Sequence, residues 1–372
     1  MIRQDAIGDL VARAHREVDD GLLPGCQLAI AYEGEIVEAV TIGASPVGDA
    51  SRYVMFSCTK AIVASAIWQL LAEGGISLDD RVADHIPEFK TNEKDVVTIE
   101  QVLLHTSGFP QAPLGPPAWE TREGRLAAFG RWRLNWEPGT RFEYHPTSAH
   151  WVLAELLARA DGVDHRESLR RRVIDPLGLQ HLRVGVPPEE QDDIARVVHV
   201  GEPPTAEEFE AVLGVPGLEV GEVTENALGS FANPEPVAVG VPGGGGVTNA
   251  SDLALFYQAL LHNQGDLWDP VWLARATGDV RNSHRDPLTG VPANRTIGLV
   301  VAGTEGPRRG FGHGTGERTF GHDGAGGQLA WGDPDSGVSF AYLTNGLDRH
   351  QIRQWRRNVG INSRAAVVAA AG

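Results

Sequence analysis

Apolar residues recur at helical spacing at Ile7, Leu10, Val11, Ala14 and Val18, so the first twenty residues read as an amphipathic helix. Two alternating runs follow, Cys26 to Tyr32 and Ile36 to Ile42, joined by Glu33-Gly34; this pattern predicts a β-hairpin around a glycine turn. Next comes a denser apolar stretch. Ile62, Val63, Ile67, Leu70 and Leu71 predict a buried helix that starts near Ser57 and stops at Gly74-Gly75. Thr98 with Gln101 three residues on predicts a capped short helix, which His105-Thr106-Ser107-Gly108 ends.

Further helices are expected over Arg122 to Trp132, Ser148 to Ala160, Ser168 to Val173 and Asn249 to Leu261, the last capped by Asn249 or Ser251. The Pro-, Trp- and Arg-rich stretch from Gly115 to Gly139 is otherwise irregular, and Pro187 to Pro242 reads as a surface excursion rich in Glu, Pro and Gly. Strands return at Thr296 to Ala302, Arg318 to His322, Gly327 to Asp333 and Val338 to Thr344, before a basic helix from about Asp348. Strands at both ends around a helical middle predict an α/β domain, residues 1–75 and 290–372, interrupted by a mostly helical domain, residues 76–289. A site between the two is the natural expectation.

Composition narrows the functions. A chain of 372 residues with 42% hydrophobic and 22% charged residues can build its own core, and a net charge of -17 repels nucleic acid and anionic membrane surfaces. Cys26 and Cys58 are the only cysteines, one in an apparent strand and one at a helix start, so no disulfide framework is expected. The N-terminal pattern has no apolar h-region, and no run approaches a membrane span; a cytoplasmic protein is expected.

The helix start at Tyr53-Val54-Met55-Phe56-Ser57-Cys58-Thr59-Lys60 carries the candidate chemistry. Ser57 sits at its N-terminus and Lys60 one turn up on the same face. The positive end of the helix dipole and the apolar surroundings both disfavour an ammonium, so Lys60 can serve as a base and Ser57 as an activated nucleophile. The plain alternative is a capping serine and a solvated lysine. Against it, Lys60, Lys90 and Lys94 are the only lysines among 32 Lys and Arg residues, and arginine cannot deprotonate.

Other chemistries fail on spacing. Gly310-Phe311-Gly312-His313-Gly314 lacks the third glycine of a dinucleotide fingerprint, no P-loop lysine follows a glycine, and neither H-E-x-x-H nor C-x-x-C is present; no cofactor and no metal are expected. Gly337-Val338-Ser339-Phe340-Ala341 comes nearest to a nucleophile elbow, but Ser339 lies within an alternating strand and reads as structural. Two stretches could complete a site with Ser57 and Lys60. Phe142-Glu143-Tyr144-His145-Pro146 places a phenol on a loop before a buried helix, where a nearby lysine would lower its pKa. Phe320-Gly321-His322-Asp323-Gly324-Ala325 is a strand end whose glycines let a substrate approach the backbone.

Taken in order, Ser57-Cys58-Thr59-Lys60, Leu103 to Gly108, Glu137-Pro138-Gly139 before Tyr144, Gly243 to Gly246 before Asp252, and Gly321 to Gly324 resemble the motifs of the serine β-lactamase and penicillin-binding-protein-like superfamily. The branch resembled is that of class C β-lactamases and family VIII carboxylesterases. This resemblance implies an antiparallel sheet flanked by N- and C-terminal helices, acylation of Ser57, proton transfers shared by Lys60 and Tyr144, and an oxyanion hole from the N–H groups of Ser57 and Ala325. His322 and Gly324 would hold the K-T-G position, and His145 and Trp136 would join them in substrate binding.

Two departures bear on substrate. Pro146 stands where the family commonly has Asn, and His322 where β-lactamases have Lys, so the cation for a substrate carboxylate is weakened at neutral pH. The expectation is a carboxylesterase acting on small, uncharged esters, with Trp119, Trp132 and Trp136 as candidate walls of an acyl pocket. The alternatives are β-lactam or amide hydrolysis, acyl transfer to a metabolite alcohol, or a non-catalytic binding module of the same fold.

Overall fold

A computed structural model describes residues 1–214, 216–217 and 224–369. The parts of the expected surface excursion at 215 and 218–223, and the last three residues of the alanine-rich tail, lie outside the described residues. The helices used below are α1 (Gln4–Asp19), α2 (Thr59–Ala72), α3 (Ser148–Asp161), α4 (Ala250–His262) and α5 (Gln351–Ala365). The main strands are β1 (Gly25–Tyr32), β2 (Glu35–Gly43), β3 (Val300–Val301), β4 (Phe320–Gly324), β5 (Gln328–Asp333) and β6 (Val338–Thr344).

The six strands form one antiparallel sheet in the order β2-β1-β6-β5-β4-β3. The predicted hairpin is there, with Glu33 and Gly34 both at positive φ, the backbone a tight two-residue turn demands. The alternation along β1 and β6 sorts side chains by size. Leu28, Ile30, Phe340 and Tyr342 face one way and pack with Ile7, Leu10 and Ala14 of α1 and Ile361 and Ala365 of α5. Ala29, Ala31 and Ala341 face the other way, into the cluster that contains α4 and α2.

Small residues on that second face let α4 lie close to the sheet, where polar ties fix it. Ser339 Oγ donates to the Ala254 carbonyl at 2.7 Å, and Gln258 Nε2 donates to the carbonyls of Ala31 and Gly337. Ser339 is therefore structural, as its strand position implied. The helix α4 packs on this sheet although its residues fall in the stretch read as the inserted domain. On the opposite face, the buried Arg357 of α5 bridges Glu17 of α1 (2.5 Å) and Asp348 (2.7 Å).

Buried all round, α2 is the central element of the second layer. It packs on α3 and on a helix the sequence pattern did not announce, Pro270–Gly278, capped by Asp269. The Thr98–Gln101 capping box is present, as is the helix Arg122–Arg131 capped by Thr121. Asn249 caps α4 by accepting from Asp252 N–H. The helix expected at Ser168 to Val173 begins earlier, at His165, and changes to a wider turn from Arg170 to Ile174.

One strand is shorter than its apolar run suggested. Thr296 to Leu299 is spent on a turn closed by Thr296 N–H to the Leu299 carbonyl and Gly298 N–H to the Thr296 carbonyl, so only Val300 and Val301 pair. Short helices Ala206–Leu213, Glu225–Ser230 and Pro234–Val239 occupy the described parts of the excursion. A three-stranded patch of Tyr53–Val54, Gly246–Thr248 and Arg183–Val184 holds the glycine run against the residues that lead into Ser57.

Candidate active site

From Ser51 to Trp68 every residue is buried except Ser57. The single opening is a product of local backbone geometry. Phe56 has φ +44°, a left-handed conformation that is costly for a bulky residue and is held by its surroundings. The turn Phe56–Cys58 then leads into α2, with its first backbone bond running from Cys58 N–H to the Met55 carbonyl. The Ser57 N–H is thus among the donors a helix start leaves without an intrahelical acceptor.

Lys60 Nζ lies 3.2 Å from Ser57 Oγ, 2.7 Å from the Pro146 carbonyl and 2.5 Å from the Gly243 carbonyl. Both carbonyls can only accept. A neutral amine has two N–H groups to give them, which turns its lone pair towards the Ser57 hydroxyl. Burial holds the Lys60 pKa well below its ordinary value, and the charge of Arg295 pushes the same way; Asp323 and Cys58 oppose them. Glycine is required at 243 by close approach: a Cβ there would sit 2.7 Å from the Pro146 carbonyl oxygen and 2.9 Å from Thr147 Cα. The Gly243 to Gly246 run therefore packs the two carbonyls around the amine.

Tyr144 comes to the same place. Its ring centroid is 4.9 Å from Lys60 Nζ, and its hydroxyl is withdrawn from solvent with no full hydrogen bond, Ser57 being the hydroxyl it interacts with. The expected lowering of its pKa by the lysine does not hold. Burial raises it above the ordinary phenol value, and the main opposing influence is Arg295. A desolvated phenol beside a desolvated amine rests protonated, so Tyr144 is set up as a proton donor.

The strand end arrives from the other side. Cys58 Sγ donates to the His322 carbonyl at 3.2 Å, and a Cβ on Gly324 would lie 2.6 Å from the Met55 carbonyl oxygen, which places β4 directly against the Ser57 turn. Ala325, the residue after β4, is partly exposed. His322 is only 2% exposed. Its Nδ1 bonds the Asp323 carbonyl at 2.6 Å, so Nδ1 carries the hydrogen and Nε2 is a buried acceptor without a partner. Burial, then Arg295 and Lys60, push its pKa well down. The weakened cation expected at this position is thus a neutral imidazole.

The remaining expectations divide. His145 is fully buried and turned away from Ser57: Nδ1–H donates to the Glu143 carbonyl, and Nε2 accepts from Ser107 Oγ (3.0 Å) and Phe109 N–H (3.2 Å). Both ring nitrogens are spent on bracing the 105–109 loop, so a substrate contact from His145 is replaced by a structural one. That loop in turn holds Tyr144, on which His105 stacks at 4.9 Å. Trp136 is partly exposed under the Arg141 guanidinium, 5.0 Å away. Trp132 stacks on Phe109 and meets Phe129 at a tilt in the core, whereas Trp119 meets Phe231, which meets Phe56 next to Ser57. The cysteines are buried and free, and burial pushes the Cys58 thiol well above its ordinary pKa, so it is no competing nucleophile.

Two neighbours escaped the sequence pattern altogether. Arg295 lies 5.1 Å from the Tyr144 ring centroid, and Phe231 lies over Gly244 and Phe56. Neither follows a period or a motif. Among the described residues, no group of three His, Cys, Asp or Glu is placed to hold a metal ion, and no helix is long and apolar enough to cross a membrane.

The family model described as Beta-lactamase matches residues 10–360. Among curated proteins, the esterase/beta-lactamase LipL of Mycobacterium tuberculosis is 28% identical over 317 residues, covering 80% of this chain and 70% of that one. A solved penicillin-binding-protein homologue from Caulobacter crescentus superposes with a TM-score of 0.80 at 27% identity, over 99% of each chain. A family VIII carboxylesterase superposes with a TM-score of 0.76 over 97% of this chain and 99% of its own; at 22% identity that likeness speaks to the fold alone.

Proposed function

Because the chain belongs to the beta-lactamase family, we propose that it is a serine hydrolase that forms an acyl-enzyme on Ser57 and acts as a carboxylesterase on small esters. One observation carries this reading: a buried amine whose two other contacts are carbonyls, with its third direction open to Ser57 Oγ at 3.2 Å. In acylation the Ser57 proton passes to Lys60 as Oγ bonds the ester carbon and the carbonyl electron pair moves onto oxygen. That oxyanion is received by the N–H groups of Ser57 and Ala325. Collapse breaks the bond to the leaving oxygen, which takes the Tyr144 proton; Lys60 then returns its proton to the phenolate. Deacylation reverses these transfers with water in place of the alcohol.

The acid-base pair is read from environment: an amine pushed down and a phenol pushed up. The substrate preference rests on a neutral His322 and on Pro146, neither of which offers a side-chain charge or donor to a β-lactam. Intact mass after incubation with a fluorophosphonate and a panel of activated esters tests the proposal. One adduct mapped to Ser57, with no label on Ser57→Ala, is expected; an unlabelled wild type would refute it. Nitrocefin turnover matching ester turnover would transfer the preference to β-lactams.

A further inference from the structure

Every buried titratable group that faces Tyr144 and Lys60 is neutral or pushed towards neutrality, with one exception. Cys58 comes from the Ser57 turn, His105 and His150 from the helical layer, and His322 from β4; burial disfavours the charged form of each. Asp323 contributes a carboxylate that is largely exposed. The exception is Arg295, a side chain only 8% exposed that arginine chemistry keeps charged. Its Cζ stands 5.1 Å from the Tyr144 ring centroid and 5.4 Å from that of Phe142, and its Nε has no hydrogen-bond partner. No ion pair among the described residues includes it.

A buried guanidinium with no carboxylate in contact, Asp286 and Asp323 acting on it only at longer range, is expensive and calls for a reason. Its backbone is tightly placed. Arg295 N–H donates to the Asn282 carbonyl, the N–H groups of Arg281 and Asn282 donate to the Arg295 carbonyl, and Asn282 Nδ2 donates to the Leu104 carbonyl, one residue before His105. The same loop that stacks on Tyr144 thus fixes Arg295 against it.

We infer that Arg295 is a positioning residue that supplies the fixed positive charge of the site, acting through Lys60 to keep the amine unprotonated and through Tyr144 to help the phenol release its proton. The inference rests on the proposed roles of Lys60 and Tyr144. The electrostatics agree: Arg295 is the largest charge opposing protonation of Lys60 and the largest favouring ionisation of Tyr144. His322, at the position where the resembled β-lactamases carry Lys, contributes no charge, and Arg295 approaches the same phenol from a different segment.

The test compares wild type with Arg295→Met, Arg295→Lys, Lys60→Met and Tyr144→Phe, using neutral esters that share an acyl group and differ in leaving group. Active-site titration with a fluorophosphonate counts folded, competent enzyme. Arg295→Met is expected to move the acid limb of kcat/KM upward by about one pH unit, and to slow alkyl esters more than p-nitrophenyl esters, whose leaving group needs no proton. Arg295→Lys restores most of both. If Arg295→Met is too unstable to titrate, Arg295→Gln and the Arg295→Lys profile carry the same comparison. Equal loss on every ester with an unmoved limb would reduce Arg295 to packing, and loss confined to esters with a carboxylated acyl group would make it an anion subsite; either overturns the inference. An acid limb that survives in Lys60→Met, or full alkyl-ester activity in Tyr144→Phe, would instead defeat the roles on which it rests.

Discussion

Lys60 and Lys94 are both fully buried, and each follows a hydroxyl residue by three positions, Ser57 in one case and Thr91 in the other. Each amine also bonds carbonyls and lies near an aromatic ring: Pro146, Gly243 and Tyr144 for Lys60, Thr91, Trp132 and Phe89 for Lys94. The two differ in what happens to the hydroxyl. Thr91 Oγ1 donates its hydrogen to the Gly130 carbonyl at 2.9 Å, while no carbonyl takes the hydrogen of Ser57 among the described bonds. They differ again in the ring, since Phe89 carries no proton to pass on. A hydroxyl three residues before a lysine becomes a candidate nucleophile only with an uncommitted hydrogen, a second proton carrier and an opening to solvent.

The sharpest way to break the comparison is to remove each amine. Lys60→Met is expected to lower kcat/KM on activated esters by about 10² to 10⁴-fold, whereas Lys94→Met, corrected for folded protein, keeps the wild-type rate. Comparable losses would erase the distinction. The cradles come next. Gly243→Ala places a methyl against the Pro146 carbonyl and is expected to cost about a hundredfold in rate by displacing the amine. Gly130→Ala, on the Lys94 side, meets only the Glu88 carbonyl oxygen at 3.8 Å and should leave rate and stability near wild type.

Stability reads the structural lysine. Lys94→Met strands the carbonyls of Thr91 and Trp132 and should cost about 1 to 3 kcal/mol in denaturant unfolding. The smallest effect is a slope. Burial lowers the Lys94 pKa from 10.5 to about 8 and pushes Lys60 well below its ordinary value. An amine depressed in the folded chain takes up a proton on unfolding, so stability rises with pH across the interval between its two values. Lys94→Met should flatten the rise between about 8 and 10.5, and Lys60→Met the part that continues below it. A stability curve unchanged by either substitution would show that neither amine is depressed.

What the sequence disclosed follows from how local each signal is. The β1–β2 hairpin, α2 and the Thr98 cap are written in contiguous period and turn residues, and they appear close to where the pattern placed them. Ser57 and Lys60 share one helical turn, so their proximity was legible without knowledge of the fold. Tyr144 gained its role through resemblance to a motif, and its adjacency to His145 was misleading, because His145 commits both ring nitrogens to Glu143, Ser107 and Phe109. Arg295 was invisible: it lies between turns, and its meeting with Tyr144 depends on pairing with Asn282, far from either motif. The strands Val300–Val301 and Tyr53–Val54 are too short to carry any period.

The Lys60 amine is lodged by main-chain oxygens at Pro146 and Gly243, and the oxygen at 146, unlike that of the tightly enclosed glycine at 243, survives almost any exchange of the side chain attached to the same residue. Position 146 can therefore drift between chemical characters while the base beneath it stays seated. Lineages could sample new specificities at that doorway without rebuilding the engine, and a designer seeking a different ester, or a lactam, can begin by varying 146.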